Sequence, residues 1–255
     1  MIKKLLLFVS GFLIVSFGLL TSHTAPAQAV TIHYSAAASL KDSLTEIAQQ
    51  YQTKQPKVKI DLDFAGSGQI KQKVLSGAPI DGVLTASKTD MQALTQADKA
   101  INSKVLLKND LVVIQNKQAR ALKGTLKQQL QAANKIALGE PKLVPAGRYA
   151  TESLASLKLQ LTDKFVYAND VRQVLAFVAS GNAEIGFVYR TDARISDQVR
   201  ISAKVPAKTH SPIRYYVGVS ATDAAKKRAT KKFNRYLASR SAQKVFKQAG
   251  FKMAN

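Results

Sequence analysis

Four positions in this chain, two of them serines, fall where an extended or loop segment gives way to a helical one. Ser39 follows "VTIHYSAAA" and leads into "LKDSLTEIAQQYQTK"; Ser67 sits in "FAGSGQI". Ala146 lies in "VPAGRYATESLASL", and Val171 follows Asp170 in "NDVRQVLAFVAS". The first turn of a helix carries N–H groups with no intrahelical acceptor and a partial positive charge. Such a point can hold an oxyanion. Ser39 and Ser67 would add a hydroxyl donor each, and the small neighbours Ala36, Ala37, Ala38, Gly66 and Gly68 would let a ligand approach the backbone. Serine is also an ordinary helix cap, and Gly-Ser-Gly an ordinary turn. Spacing alone therefore leaves an anion site and plain capping both open.

Catalytic chemistry finds less support. A serine nucleophile needs a base within reach, and beyond the first 29 residues the only histidines are His33 and His210. His33 lies inside an extended run and reads as a packed strand residue; His210, in "KTHSPI", reads as a solvated loop residue. No HExxH, CxxC or carboxylate cluster offers a metal site, and no GxxxxGK[ST] phosphate loop is present. We expect no enzyme and no cofactor. An exported serine hydrolase using Ser39 or Ser67 is the catalytic alternative.

The elements that would position these residues alternate. "VTIHYSA", "KVKIDLDF" and "GVLTAS" read as strands, and each precedes a helical segment: the run from Leu40, then "QIKQKVLSG", then "KTDMQALTQ". Leu40, Leu44, Ile47, Ala48 and Tyr51 recur at helical spacing. Ser39 before them, with Asp42 three residues on, approximates a capping box. The β-α-β-α-β-α order implies a parallel sheet with helices on its faces, in which ligands bind beyond the carboxyl ends of the strands. Later, "LVVIQN", "KIALGEP", "EIGFVY" ending at Tyr189, and "YYVGVS" read as strands. Asp170 caps a helix with Val171, Val174, Leu175 and Val178 as its apolar stripe, closed by Gly181. Two α/β lobes are expected.

The chain has 255 residues, 46% hydrophobic and 21% charged, which is a globular composition. Its first 29 residues stand apart. "MIKK", an apolar run "LLLFVSGFLIVSFGLL" and "APAQA" form a secretory signal with cleavage expected after Ala29; the apolar run is short for the roughly 20 residues of a membrane span. With no cysteine, neither disulfides nor a thiol-linked lipid are available. A soluble exported protein is expected, periplasmic or at the outer face of the cytoplasmic membrane. The formal charge of +22 favours anionic partners. The basic C-terminal stretch has Phe233, Leu237, Val245 and Phe246 at helical spacing and reads as solvated helix faces. An exported protein rarely meets nucleic acid, so none is expected as a partner. A basic surface adhesin is a further alternative.

Longer motifs carry a resemblance. "AASL" (37–40), "FAGSG" (64–68), "SGAPID" (76–81), "NDLVVI" (109–114), "IALGEP…VPAGRYA" (136–150), "NDVRQVLAFVASGNAEIGFVY" (169–189) and "SPIRYYVGVS" (211–220) occur in this order. So arranged, the chain resembles the periplasmic molybdate-binding proteins that feed molybdenum ABC transporters. The resemblance implies a periplasmic-binding-protein architecture: two lobes, each a mainly parallel sheet flanked by helices, closing on one tetrahedral oxyanion. It implies ligation by Ser39 and Ser67 from one lobe, and by the Ala146 and Val171 N–H groups and the Tyr189 hydroxyl from the other. It implies lobe one at 30–109 plus 213–255, lobe two at 110–212, a monomer, a membrane permease as partner, and molybdate or tungstate as cargo. Sulfate or another oxyanion is the nearest alternative. Two departures from the family pattern, Glu140 in "GEP" and Gly82 in "DGVLTAS", fall outside the proposed ligands. Arg148 and Arg172 flank the donors and are expected to reach solvent or a carboxylate.

Overall fold

A computed structural model describes residues 29–254; the expected signal segment lies almost wholly outside them. Strand β1 (Val30–Ala37) buries Ile32, Tyr34 and Ala36. A 3-10 turn, Ala38–Leu40, intervenes before α1 (Lys41–Lys54). Ser39 therefore does not cap that helix, and no capping box forms with Asp42. Leu40 is the N-cap, without a side-chain bond, because both polar side chains have other partners (below). The apolar stripe of α1 packs inward as its spacing predicts, with Leu44 and Ile47 fully buried. The alternation continues through β2 (Val58–Ala65), α2 (Ser67–Leu75), β3 (Gly82–Thr85) and α3 (Lys88–Gln96).

His33 corrects another expectation. Its side chain is 46% exposed on the outer side of β1, 3.6 Å from Asp61, so it is not packed; the buried positions of β1 at this point are its neighbours Ile32 and Tyr34. The reason for glycine at 82 lies in the same strand. A Cβ there would run into the Tyr34 ring and the Thr230 methyl. Tyr34 supplies the bulk that Gly82 lacks.

The chain then forms β4 (Ile101–Lys108) and β5 (Leu111–Asn116), α4 (Leu126–Ala132), β6 (Ile136–Gly139), α5 (Pro145–Ser156), β7 (Phe165–Ala168) and α6 (Val171–Ala179). Asp170 caps α6 through the Arg172 and Gln173 N–H groups, and Gly181 ends the segment at φ +79°. Next come β8 (Ile185–Tyr189), the single turn α7 (Arg190–Ala193), β9 (Val199–Lys204), β10 (Arg214–Val219), α8 (Ala224–Tyr236), α9 (Arg240–Ala249) and β11 (Lys252–Met253). Phe233, Leu237, Val245 and Phe246 are buried, and the lysines and arginines of α8 and α9 fill the outer faces.

Two sheets result. The first has the order β11-β4-β10-β3-β1-β2, the second β7-β6-β8-β5-β9. Pairs within βαβ units are parallel: β1 with β2 and β3, and β6 with β7 and β8. Pairs made by β4, β5 and β10, which lead into or out of the crossings between sheets, are antiparallel. The chain crosses from one sheet to the other between β4 and β5 and returns between β9 and β10, giving the two-lobed α/β architecture. Among the described residues no helix is long and apolar enough to cross a membrane.

Candidate functional site

Six strand ends converge on one small cavity between the sheets. Ala37 to Ser39 follow β1, Ala65 to Ser67 follow β2, and Ala86 follows β3. Opposite them, Val144 to Ala146 follow β6, Asp170 and Val171 follow β7, and Tyr189 ends β8. All are carboxyl ends, where α/β sheets place ligands. The cavity leaves about 10 Å³ for the centre of a water-sized sphere. Taken as spherical, with a water radius of about 1.4 Å, it has a radius of about 2.7 Å. That fits one compact ion and is far below the roughly 300–1,000 Å³ of organic-ligand pockets. A wider depression of about 500 Å³, lined by residues such as Asn116, Lys135 and Glu184, lies at the amino ends of β6 and β8. It is open to solvent and gathers no ring of buried donors.

All five residues singled out from the sequence, Ser39, Ser67, Ala146, Val171 and Tyr189, line the small cavity. Ser67 is the first residue of α2 and fully buried. Its Oγ accepts the Ala86 N–H at 2.9 Å, so its own proton is free to point elsewhere. Ser39 Oγ lies 2.9 Å from the Tyr215 hydroxyl. In α5, Pro145 occupies the first position and has no N–H, so Ala146 carries the first donor of that helix. In α6, Asp170 Oδ1 takes the Arg172 N–H at 2.7 Å and the Gln173 N–H at 3.0 Å. Val171's N–H is the first-turn donor left over. Tyr189 is 2% exposed, and its hydroxyl has no hydrogen-bond partner among the described residues. Burial, reinforced by the neighbouring Tyr215, holds its pKa well above the ordinary phenol range, so the group remains an O–H donor.

Among the described residues no lysine or arginine lines the cavity, and Asp170 is the one charged residue that does. The two flanking arginines reach carboxylates, both across the cleft. Arg172 Nη2 meets Asp42 Oδ2 of α1 at 2.6 Å, while its Nε meets Asp192 of α7 at 2.9 Å. Arg148 of α5 meets Asp90 of α3 at 3.3 Å and the hydroxyls of Ser87 and Thr89 at 3.0 and 2.6 Å. A backbone bond also spans the cleft, Gly68 N–H to Leu143 O at 2.8 Å. A Cβ on Gly68 would sit 2.7 Å from Leu143 Cα and 2.9 Å from the carbonyl oxygens of Leu143 and Lys142; one on Gly66 would sit 2.7 Å from Leu143 O. The small residues of "FAGSG" are what let the 142–144 loop lie directly on the start of α2.

Sequence reasoning assigned no site role to Asn109, Tyr215 or Asp192, and gave Asp42 only the capping role that the structure does not bear out. Asn109 and Tyr215 fall inside quoted motifs, which was the one available signal. Their bonds join residues more than a hundred positions apart. Neither serine touches a histidine among the described residues. His210 instead lies against Tyr149, with ring centroids 5.8 Å apart, so it is partly packed.

Known proteins share this architecture and much of its sequence. A family model for bacterial extracellular solute-binding proteins matches residues 32–252. The molybdate-binding protein ModA of Haemophilus influenzae is 36% identical over 259 aligned positions, covering 98% of each chain. YvgL of Bacillus subtilis, assigned as an ABC transporter substrate-binding lipoprotein, is also 36% identical and covers 98% of this chain and 99% of its own. Among solved structures, the substrate-binding domain assigned to a molybdenum ABC transporter of Clostridium difficile aligns with a TM-score of 0.67 at 38% identity. That alignment spans 89% of this chain and 100% of the other.

Proposed function

Since the chain belongs to the bacterial extracellular solute-binding proteins, we propose that it captures molybdate, and also tungstate, for import by an ABC transporter. Ser39 and Ser67 donate through hydroxyl and N–H, Ala146 and Val171 through N–H, and Tyr189 through its phenol. We take lobe one as 30–109 with 213–255 and lobe two as 110–212, a division supported by the two separate sheets. The protein acts outside the cytoplasmic membrane as a monomer, performs no reaction and needs no cofactor, and its closed form docks on a membrane permease.

One observation carries this reading: uncharged donors line an ion-sized cavity beside Tyr189, whose buried hydroxyl has no partner among the described residues. Aligned dipoles in a water-poor site can stabilise a dianion without a cationic side chain. The N–H groups are held by the backbone, so the cage has a set radius, and size would separate the larger molybdate and tungstate from sulfate. The cross-cleft bonds of Arg148, Arg172 and Gly68 form only when the lobes are together. Binding energy from the anion is thereby coupled to closure.

Titration of the purified protein with molybdate, tungstate, sulfate and phosphate, followed by tyrosine fluorescence, tests the proposal. We expect saturation by one molybdate or tungstate per chain, with far weaker responses to the other two. Ser67→Ala should weaken molybdate binding by about 1–3 kcal/mol. A tight sulfate response without one to molybdate would overturn the assignment.

A further inference from the structure

The proposed donor set raises a question of polarity, since a serine hydroxyl can accept as readily as it donates. At Ser67 the protein answers it: the Ala86 N–H can only donate, so it occupies an acceptor position on Ser67 Oγ and turns the serine proton away. At Ser39 the neighbour is another hydroxyl, Tyr215, and that pair could run either way.

A chain of bonds behind Tyr215 removes the ambiguity. The Asp110 backbone N–H donates to the Asn109 side chain at 2.9 Å. A backbone N–H cannot accept, so the atom it meets is the carbonyl oxygen Oδ1, and the Asn109 amide NH2 must face the other way. There Nδ2 donates to Thr191 Oγ1 at 2.9 Å and to the Tyr215 hydroxyl at 3.2 Å. Tyr215 is fully buried and Asn109 is 8% exposed, so water does not compete readily at either group. The Tyr215 phenol thus accepts from Asn109, and its own proton requires an acceptor; the nearby candidate is Ser39 Oγ at 2.9 Å. Burial keeps that proton in place by raising the Tyr215 pKa well above the ordinary phenol range. With one acceptor position filled by Tyr215 and no other side-chain partner among the described residues, Ser39 has its proton left for the cavity.

We propose that Asn109 and Tyr215 are positioning residues that hold Ser39 as a one-way donor and so tune the site against oxyanions that still carry a proton. The inference rests on the oxyanion reading above. With both serine protons aimed at the ligand, a hydrogen phosphate would bring its own O–H against donors at those two positions and leave it unpaired there. A fully deprotonated dianion has no such group. If the lock on Ser39 is released, its hydroxyl can rotate and accept that O–H. Asn109 sits where the chain first crosses between the sheets, and its backbone N–H bonds Ile213 O at 3.3 Å at the return crossing. The polarity lock is therefore anchored at the crossings, outside the cavity lining.

The test uses Tyr215→Phe, which keeps the ring against Tyr189 and Phe251, 5.9 and 5.4 Å away, and Asn109→Asp, which replaces the donating amide by an acceptor. Calorimetric titrations at pH 7 with molybdate and with inorganic phosphate should show molybdate affinity falling about fivefold to tenfold in either variant. The ratio of molybdate to phosphate affinity should fall further, because phosphate binding strengthens in absolute terms. A loss of packing alone would weaken both ions together. In a Ser39→Ala background, Tyr215→Phe should change molybdate affinity by less than about twofold. A wild-type protein that binds molybdate, paired with variants whose selectivity ratio is unchanged or whose effects multiply with Ser39→Ala, overturns the inference alone. A wild-type protein that binds no molybdate overturns the function it rests on as well.

Discussion

Replacing Tyr189 with phenylalanine should move stability and affinity in opposite directions. Tyr189 is 2% exposed, and its buried hydroxyl has no partner among the described residues. Leaving a buried polar group unpaired costs about 1–3 kcal/mol. Deleting it while keeping the ring, which packs 5.9 Å from Tyr215, should therefore stabilise the ligand-free protein. The gain will be at the low end of that range, about 1 kcal/mol, because opening of the cleft lets water reach the phenol. In the loaded state the same hydroxyl faces a dianion, and a hydrogen bond to a charged group contributes about 1.5–3 kcal/mol. Molybdate affinity should fall about 10-fold to 150-fold. Urea denaturation without ligand and calorimetric titration with molybdate read the two effects separately. An affinity change under about threefold would mean that the hydroxyl does not bond the ion, and a destabilised ligand-free protein that it serves a contact within the fold; either result would refute the reasoning.

Three further outcomes are expected. Gly68→Ala should weaken molybdate binding at least tenfold while leaving ligand-free melting within a few degrees of wild type, since its methyl meets Leu143 and Lys142 across the closed cleft; stopped-flow titration and melting scans check it. Asp42→Ala removes an exposed carboxylate from the Arg172 contact across the cleft, and exposed pairs contribute about 0.2–1 kcal/mol. The dissociation rate should rise by up to about fivefold, less so at high salt, with the association rate nearly unchanged. Burial, outweighing the adjacent Arg172, raises the Asp192 carboxyl from an ordinary 3.8 to about 7. The folded protein then holds a proton that the unfolded chain releases, so stability should fall as pH rises from about 4 to about 7. Melting scans across that window should show the slope, flattened in Asp192→Asn.

Elements built on a single strong period were readable in advance. The β5 span and the start of α6 at Val171 fall where the apolar pattern and the Asp170 cap put them. The segments without an assignment are those whose pattern is weak. β4 exposes five residues in succession and carries a bulge in its pairing with β10, so it lacks alternation. α4 is seven residues long, and its signal is the Thr125–Gln128 capping box. β9 lies at the edge of its sheet with one buried position, Val199. The Ser39 cap failed for a tertiary reason, because a buried phenol competes for the hydroxyl and an arginine from the other lobe takes Asp42. The candidate site was legible as helix starts and as a family pattern. Its supporting contacts were not, because Asn109–Tyr215 and Asp42–Arg172 each join residues more than a hundred positions apart. No local spacing encodes such pairs.

The central claim is that uncharged groups alone grip a dianion between the lobes. A crystal of the protein grown with tungstate, with the metal located by its anomalous scattering, tests it most directly. The account predicts one peak within the cavity of Ser39, Ser67, Ala146, Val171 and Tyr189, with donors from all five residues at hydrogen-bonding distance and every lysine and arginine head group farther away. A peak on the basic surface of α8 and α9, or a cationic side chain against the bound oxygens, would contradict it.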